Sequence, residues 1–442
     1  GSGSTATVAY DGSDIQDGVV TIDGVGIHYD DIPNNTLSIT GTSDLTLDFA
    51  GGDPAIAFAR FDATTTVVSG TSFTTTNFAS PGNSLTINFA DPNNYTVAVN
   101  DLADDFNPAA GVAINGNAGG GDINLTVDQL GSLSGALDID LSSGTDTAIF
   151  VTTAQSLGSL SVVADMITAT TAALSVSGQT TVDAGAVGTI TLDNAANDFN
   201  TVVVAGGNDV TLVDADDIDL GASAVSGDLV VTSSGAITDS AALSVTGAST
   251  FDAGAADVTL DDAAYDVSTV LIASGNNVTL VDANAIGLGV STVSGNLVVT
   301  SSGGIDINGK LTGSGSVLLD AAGDISIAAD VDPTTVTLEA DGDIDIAAAV
   351  TATTLITVSA GQDGSGDVML DGTAPETGSL TTTAAGSDVA ITAGATSGVI
   401  TLDGDITTID RLSLNSNGTG NITQGNGTLL AANLQVNAIG NV

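Results

Sequence analysis

Residues 209–215 read DVTLVDA and residues 277–283 read NVTLVDA, so one seven-residue phrase returns after 68 positions. Its neighbour behaves the same way: VSGDLVVTSSG at 225–235 returns as VSGNLVVTSSG at 293–303. Upstream, Leu174-Ser175-Val176-Ser177-Gly178 matches Leu243-Ser244-Val245-Thr246-Gly247 at an offset of 69, which puts one inserted or lost residue in a loop. Self-similarity at a fixed spacing is the mark of a repeat architecture.

A shorter period runs inside the long one. Strand-like starts fall at Val258, Val278, Leu297, Val317, Val336 and Leu355, at nearly even intervals. Each opens an alternating run such as VTLVD, VLLDA or VTLEA, in which every second side chain points to one face. Gly, Asn, Asp or Ser follows, then a second apolar run such as DISIAA or DIDIAA. So short a unit cannot bury a face alone. Stacked, it becomes one coil of a parallel β-helix, with each strand pairing to its equivalent about 4.8 Å along the axis. A propeller blade needs about 40 residues and a leucine-rich repeat carries a helical segment; neither fits. The expected fold is all-β: a solenoid of about 20 residues per coil over residues 111–442.

Residues 1–110 differ. They hold 7 of the 10 Phe, 3 of the 4 Tyr and 5 of the 7 Pro, which points to a distinct β-rich N-terminal unit, either a cap or a sandwich. A cap is the natural expectation, because a bare terminal coil is an open sheet edge. Thr5–Tyr10 (TATVAY), flanked by Gly and Ser, is a candidate donor strand for a neighbouring molecule. At the other end TLLAANLQVNAIGNV (428–442) still reads as coil sequence. The chain opens on Gly1 rather than Met, which suits a removed signal peptide or a segment of a longer chain.

Charge excludes several functions. There are 53 acidic residues against 3 basic ones, a formal net charge of -50. Nothing is available to neutralise phosphates, so nucleic acid is not an expected partner. A polybasic membrane patch is absent for the same reason, and no apolar run reaches the roughly 18 residues that a membrane helix needs. Self-repulsion must be screened by salt or bridged by divalent ions. With no cysteine, disulfides and thiolate metal sites are excluded.

Catalytic chemistry finds little to work with, and no enzyme and no required cofactor are expected. Lys310 sits in a Gly-rich turn, DINGKLTGSG, without a second cation near in sequence. His28 stands alone in GVGIHYDD; Arg60 and Arg411 are isolated and suited to pairing with carboxylates. No nucleophile elbow, phosphate loop or His pair with metal-ligand spacing occurs. Carboxylates are abundant, so their phase carries the information. Asp261, Asp320 and Glu339 lie at the third position after a strand start and Asp282 at the fourth; Asp324 and Asp343 each follow Gly and precede Ile, one coil apart. In register these form ladders of like charge, which need cations, hydration or raised pKa values. Calcium accepts such all-oxygen ligands, so these six are the candidate metal ligands, against solvated turn residues that mark coil corners.

The stretch NAANDFNTVVVAGGNDVTLVDADDIDLGASAVSGDLVVTSSGAITDSAALSVTG (194–247) resembles repeats of very large bacterial surface proteins, the filamentous-haemagglutinin-like and related β-strand-repeat proteins. The resemblance covers about 174–350, extends loosely to the C-terminal part, and touches 35–54 and 83–107. It implies a right-handed parallel β-helix, a secreted or cell-surface setting, and adhesive or matrix roles. The calcium nonapeptide of some repetitive relatives is missing: GNAGGGDINLTV (116–127) has the glycines without the regular Asp spacing. The expected function is therefore an extracellular structural protein, a filament or surface-layer subunit that self-associates end to end into fibres or arrays. The alternative is an adhesin stalk or glycan-binding segment, with surface glycans as partners of the aromatic N-terminal unit.

Overall fold

The computed structural model describes residues 4–438 apart from 12–17, 24, 30–36, 51–54, 71–72, 74, 90–91, 117–119, 131, 363, 373–376, 395 and 418. Among the described residues every regular element is a strand, and no helix is long and apolar enough to cross a membrane. The chain is a parallel β-solenoid of about 14 turns and roughly 22 residues per turn. Between Val258 and Ile356 the step is slightly shorter than that average. The chain forms two compact units, Gly1–Gly227 and Asp228–Val442.

In the first unit, Thr5–Asp11, Asp44–Ala50, Ser84–Phe89, Gly111–Asn115, Ser132–Asp140, Gln155–Val163, Leu174–Asp183 and Asp198–Gly206 stack in parallel on one side. On another side Ala55–Asp62, Tyr95–Val99, Ile123–Val127, Thr147–Phe150, Met166–Thr168, Thr189–Leu192 and Val210–Asp214 do the same. The long strands bend where their register shifts, and glycine sits at the bend. At Gly158 a Cβ would lie 2.2 Å from the carbonyl oxygen of Ser134 in the coil before it, so no other residue fits there.

The compositional change near residue 110 is not a break in the ladder, because Ser84–Phe89 pairs directly with Gly111–Asn115. What changes is the filling. Tyr10, Phe49 and Phe89 are register partners and stack inside the coils, with centroids 4.7 and 5.7 Å apart. Beside this aromatic column, Asp48 accepts from the Asn88 amide (2.7 Å), and Asn88 accepts from the Asn115 amide (2.8 Å). The proposed donor strand is already engaged: Thr5–Asp11 pairs in parallel with Asp44–Ala50 and antiparallel with Gly18–Ile22, which pairs antiparallel with Val25–Tyr29. Both of its edges are used within the chain, so it has no free edge to donate. The antiparallel hairpin continues the sheet beyond the parallel ladder at Thr5–Asp11.

The second unit shows the regular coil. One inward column runs Val258, Val278, Leu297, Val317, Val336, Ile356, Val389 and Leu412, every member at most 2% exposed. Each such side chain contributes about 1.5–3 kcal/mol by leaving water. Ile356, not Leu355, continues the column. Leu355 pairs with Thr335, points outward and is 37% exposed, because the corner before it carries one residue more and a one-residue slip reverses a strand's faces. The next coil, from Ile356 to Val389, is longer still, the extra length lying in its corners.

The long repeat does not close on whole turns. Leu229 stacks on Ser249, Val270 and Leu288, three turns, while the matching LVVTS at Leu297–Ser301 stacks three turns from Ile237 instead. Two identical strands of the 68-residue repeat thus occupy different sides of the coil.

Candidate functional site: the axial carboxylate ladder

In a parallel ladder, strands satisfy one another's backbone groups, but at the corners the chain turns and main-chain N–H groups lose their partners. Asp and Asn have the reach to replace them. Asp324 sits just before the strand Ile325–Ile327, and its Oδ1 accepts the N–H of Asp343 at 2.8 Å. Asp343 Oδ1 accepts the N–H of Asp367 (2.8 Å), and Asp367 Oδ1 accepts that of Val399 (2.8 Å). A second series is built alike: Asp257 takes the N–H of Asn277 (2.9 Å), Asn277 that of Asn296 (3.2 Å), and Asn296 that of Ser316 (3.0 Å). Each side chain reaches one coil along the axis. The shared hydrogen bonds of Asp257 hold its carboxyl below the usual range, the Asn277 N–H first.

The sequence-derived candidates divide accordingly. Asp324 and Asp343 are brought together as successive rungs. Asp320 and Glu339 are axial partners on the outer face of Ser316–Ala321 and Thr335–Ala340. Asp261 is exposed and gives its N–H to Asp239 Oδ1 (2.9 Å). Asp282 is buried, one position further along its strand, and so points inward; its Oδ2 accepts the N–H of Val267 (3.0 Å) and its Oδ1 that of Asn284 (2.9 Å). Burial pushes its pKa up, against the pull of those two amides. Among the described residues, no three His, Cys, Asp or Glu side chains converge as a metal cluster.

Several structurally equivalent acids escape the regular spacing. Asp367 follows Asp343 after a longer coil than the one that separates Asp324 from Asp343, so periodic counting passes over it. Asp214 is buried as Asp282 is, with Oδ2 on the Phe199 N–H (2.7 Å) and Oδ1 on the Asp216 N–H (2.9 Å). The signal for it was present in the DVTLVDA and NVTLVDA phrases, which place an Asp at the same point.

The cations are few and mostly spoken for. Arg60 bridges Asp101 (2.9 Å) and Asp104 (2.5 Å), and Arg411 pairs with Asp388 (2.8 Å). Lys310 is exposed beside a shallow groove lined by Ala328, Ala329, Asp330, Ala347 and Ala348. The side chain of His28 lies outside the described residues. The aromatic residues expected to offer a glycan surface are mostly core: Tyr10, Phe49, Phe58, Phe73, Phe78, Phe89, Tyr95 and Phe106 are buried. Phe61, 63% exposed, stands out beside the turn between Ala55–Asp62 and Thr65–Gly70.

Three consecutive stretches, 134–206, 207–274 and 275–332, match the family model described as "Repeats of unknown function (DUF5649)". The second match starts at Gly207 and the third at Gly275, the same 68-residue step read from the sequence. No curated protein and no solved structure matches the chain.

Proposed function

We propose that the protein is an extracellular structural element, a filament or surface-layer subunit of the filamentous-haemagglutinin-like kind, whose copies associate end to end. The observation that carries this reading is the strand Asn433–Ala438. Among the described residues it pairs only with Arg411–Ser416, and its Leu434 and Val436 are 58% and 39% exposed although they continue the columns of buried Leu412 and Leu414. A further strand, from a continuation of the same chain or from a second copy, would cover them and extend the ladder. The net charge of -50 opposes such contact, so salt or calcium on the outward carboxylates Asp320, Asp324, Glu339 and Asp343 assists it. Electron microscopy of the purified chain, with calcium and with chelator, tests this. Fibres are expected from the native chain and not from Leu434→Asp/Val436→Asp. A native chain that stays monomeric at high concentration with calcium removes the assembly reading.

An adhesive reading, with surface glycans as ligand, draws on Phe61. An exposed aromatic on an antiparallel excursion from an otherwise regular ladder is suited to stacking on a sugar ring. Glycan-array binding that is lost in Phe61→Ala supports it; an array blank in both calcium and chelator rejects it.

A further inference from the structure

Asp146 is an acid in the wrong place. It precedes the strand Thr147–Phe150 at an inward position, axially in line with Ile123 on one side and Asp165 on the other. Its side chain is fully buried. Oδ1 accepts the N–H of Ile123 at 2.6 Å, but the buried Oδ2 has no partner. The residue's own N–H goes to Asp165 Oδ2 (2.8 Å), and the neighbouring Thr145 N–H goes to Asp122 Oδ1 (2.9 Å). The carboxyl is thus held in the core with carboxylates on both sides.

Among the described residues no cation pairs with it: Arg60 is held by Asp101 and Asp104, and Arg411 by Asp388. The lysines, arginines and histidine of the entire chain are Arg60, Lys310, Arg411 and His28, and none falls between residues 61 and 309. Among the described residues the titratable groups nearby are acidic: Asp122 before Ile123–Val127, Asp140 at the end of Ser132–Asp140, Asp165 before Met166–Thr168, and Asp183, which lines a groove of about 220 Å³ together with Asp165 and Gly144. A buried carboxylate without a counter-charge is among the costliest groups a core can hold. Two agents could neutralise it, a metal ion or a proton. The enclosed Oδ2, and the lack of three converging acids among the described residues, favour the one that needs no room.

We propose that Asp146 is a proton-operated lock on its coil: neutral, it seats the strand Thr147–Phe150 firmly on Ile123–Val127 and Met166–Thr168, and ionised, it loosens that seat. Burial pushes its pKa up to about 6, with the charges of Asp165 and Asp122 adding to the rise and the Ile123 N–H opposing it. The lock therefore closes as the medium turns from neutral to mildly acidic, the direction in which a strongly acidic surface also loses repulsion.

Hydrogen exchange of the full chain, read by mass spectrometry at pH 5 to 8 and scaled to intrinsic exchange, tests this. Peptides covering 122–150 are expected to exchange up to about tenfold more slowly at pH 5 than at pH 8, while peptides covering 317–340 change much less. In Asp146→Asn the pH dependence of 122–150 should fall below twofold. In Asp165→Asn, which removes one like charge, its midpoint should move to lower pH; that variant decides the matter if Asp146→Asn does not fold. A pH dependence that survives undiminished in Asp146→Asn, an unmoved midpoint in Asp165→Asn, or a flat native profile overturns the proposal. So does millimolar calcium restoring protection at pH 8 in the native chain, which would make this a cation site.

Discussion

Asp343 gives its main-chain N–H to Oδ1 of Asp324 at 2.8 Å and receives the N–H of Asp367 on its own Oδ1 at 2.8 Å. One residue is both donor and acceptor along the axis. Acidic side chains here take the part that strands take elsewhere, since they satisfy the backbone where the chain turns. Asp343→Ala should cost about 1 kcal/mol by leaving one corner amide to water, and Asp343→Asn, which keeps an acceptor, should cost only a few tenths. Urea titration of the three proteins checks the order. Equal losses for Ala and Asn would mean that charge, not the amide contact, is what matters at this corner.

Tyr265 occupies the corner that Asn197 occupies one long repeat earlier. Asn197 is buried and bonded, Oδ1 to the Leu174 N–H (2.9 Å) and Nδ2 to the Leu192 carbonyl (3.1 Å). The Tyr265 hydroxyl is buried without a partner. Tyr265→Phe should therefore be neutral or stabilise by about 1 kcal/mol. Burial, and after it the charges of Asp282 and Asp239, raise the phenol's pKa well above the ordinary value. Its ultraviolet ionisation signal should thus appear in alkali only as the coil opens. A marked loss of stability in the phenylalanine variant would reveal a bound water on the hydroxyl.

Gly111 combines a φ of +107° with a Cβ position 1.9 Å from the carbonyl oxygen of Ala136. Gly111→Ala must push two coils apart as well as strain the backbone, and should cost more than about 3 kcal/mol. Thermal unfolding reads this directly. A shift of only a degree or two would show that the register of Gly111–Asn115 on Ser132–Asp140 yields more easily than that close approach implies.

Asp214 predicts a pH profile. Its pKa is raised to about 6, mainly by burial, against an unfolded value near 3.9. The folded chain therefore holds more protons than the unfolded one between roughly pH 4 and 6, so stability increases as pH falls through that window. Far below it, Asp44, Asp62 and Asp257, whose pKa values are lowered chiefly by hydrogen bonds, act in the opposite sense. In about 0.5 M salt, which screens the surface charge, the urea midpoint should be higher at pH 5 than at pH 7.5, and Asp214→Asn should narrow the gap. A midpoint that falls steadily over that range contradicts the assignment.

Much of the coil was legible in the sequence because alternation and a nearly constant step are both written in single letters. Val278, Leu297, Val317 and Val336 could be aligned by eye, and they stack as aligned. Leu355 could not, since a corner one residue longer looks the same as one of ordinary length until the partner strand fixes which face is inside. The acids show the same limit. Asp261 and Asp282 follow similar strands at the third and fourth positions, and that single step decides between an exposed turn and the core. Asp146 belongs to no repeated phrase, and nothing local marks it as buried. The change in aromatic content near residue 110 reports side-chain size, and the pairing of Ser84–Phe89 with Gly111–Asn115 across it is not written in composition.

The 68-residue repeat, which carries LVVTS from one side of the coil at Leu229–Ser233 to another at Leu297–Ser301, makes duplication a rotation as well as a lengthening. A ligand that reads this motif would meet it on two sides of the second unit rather than one.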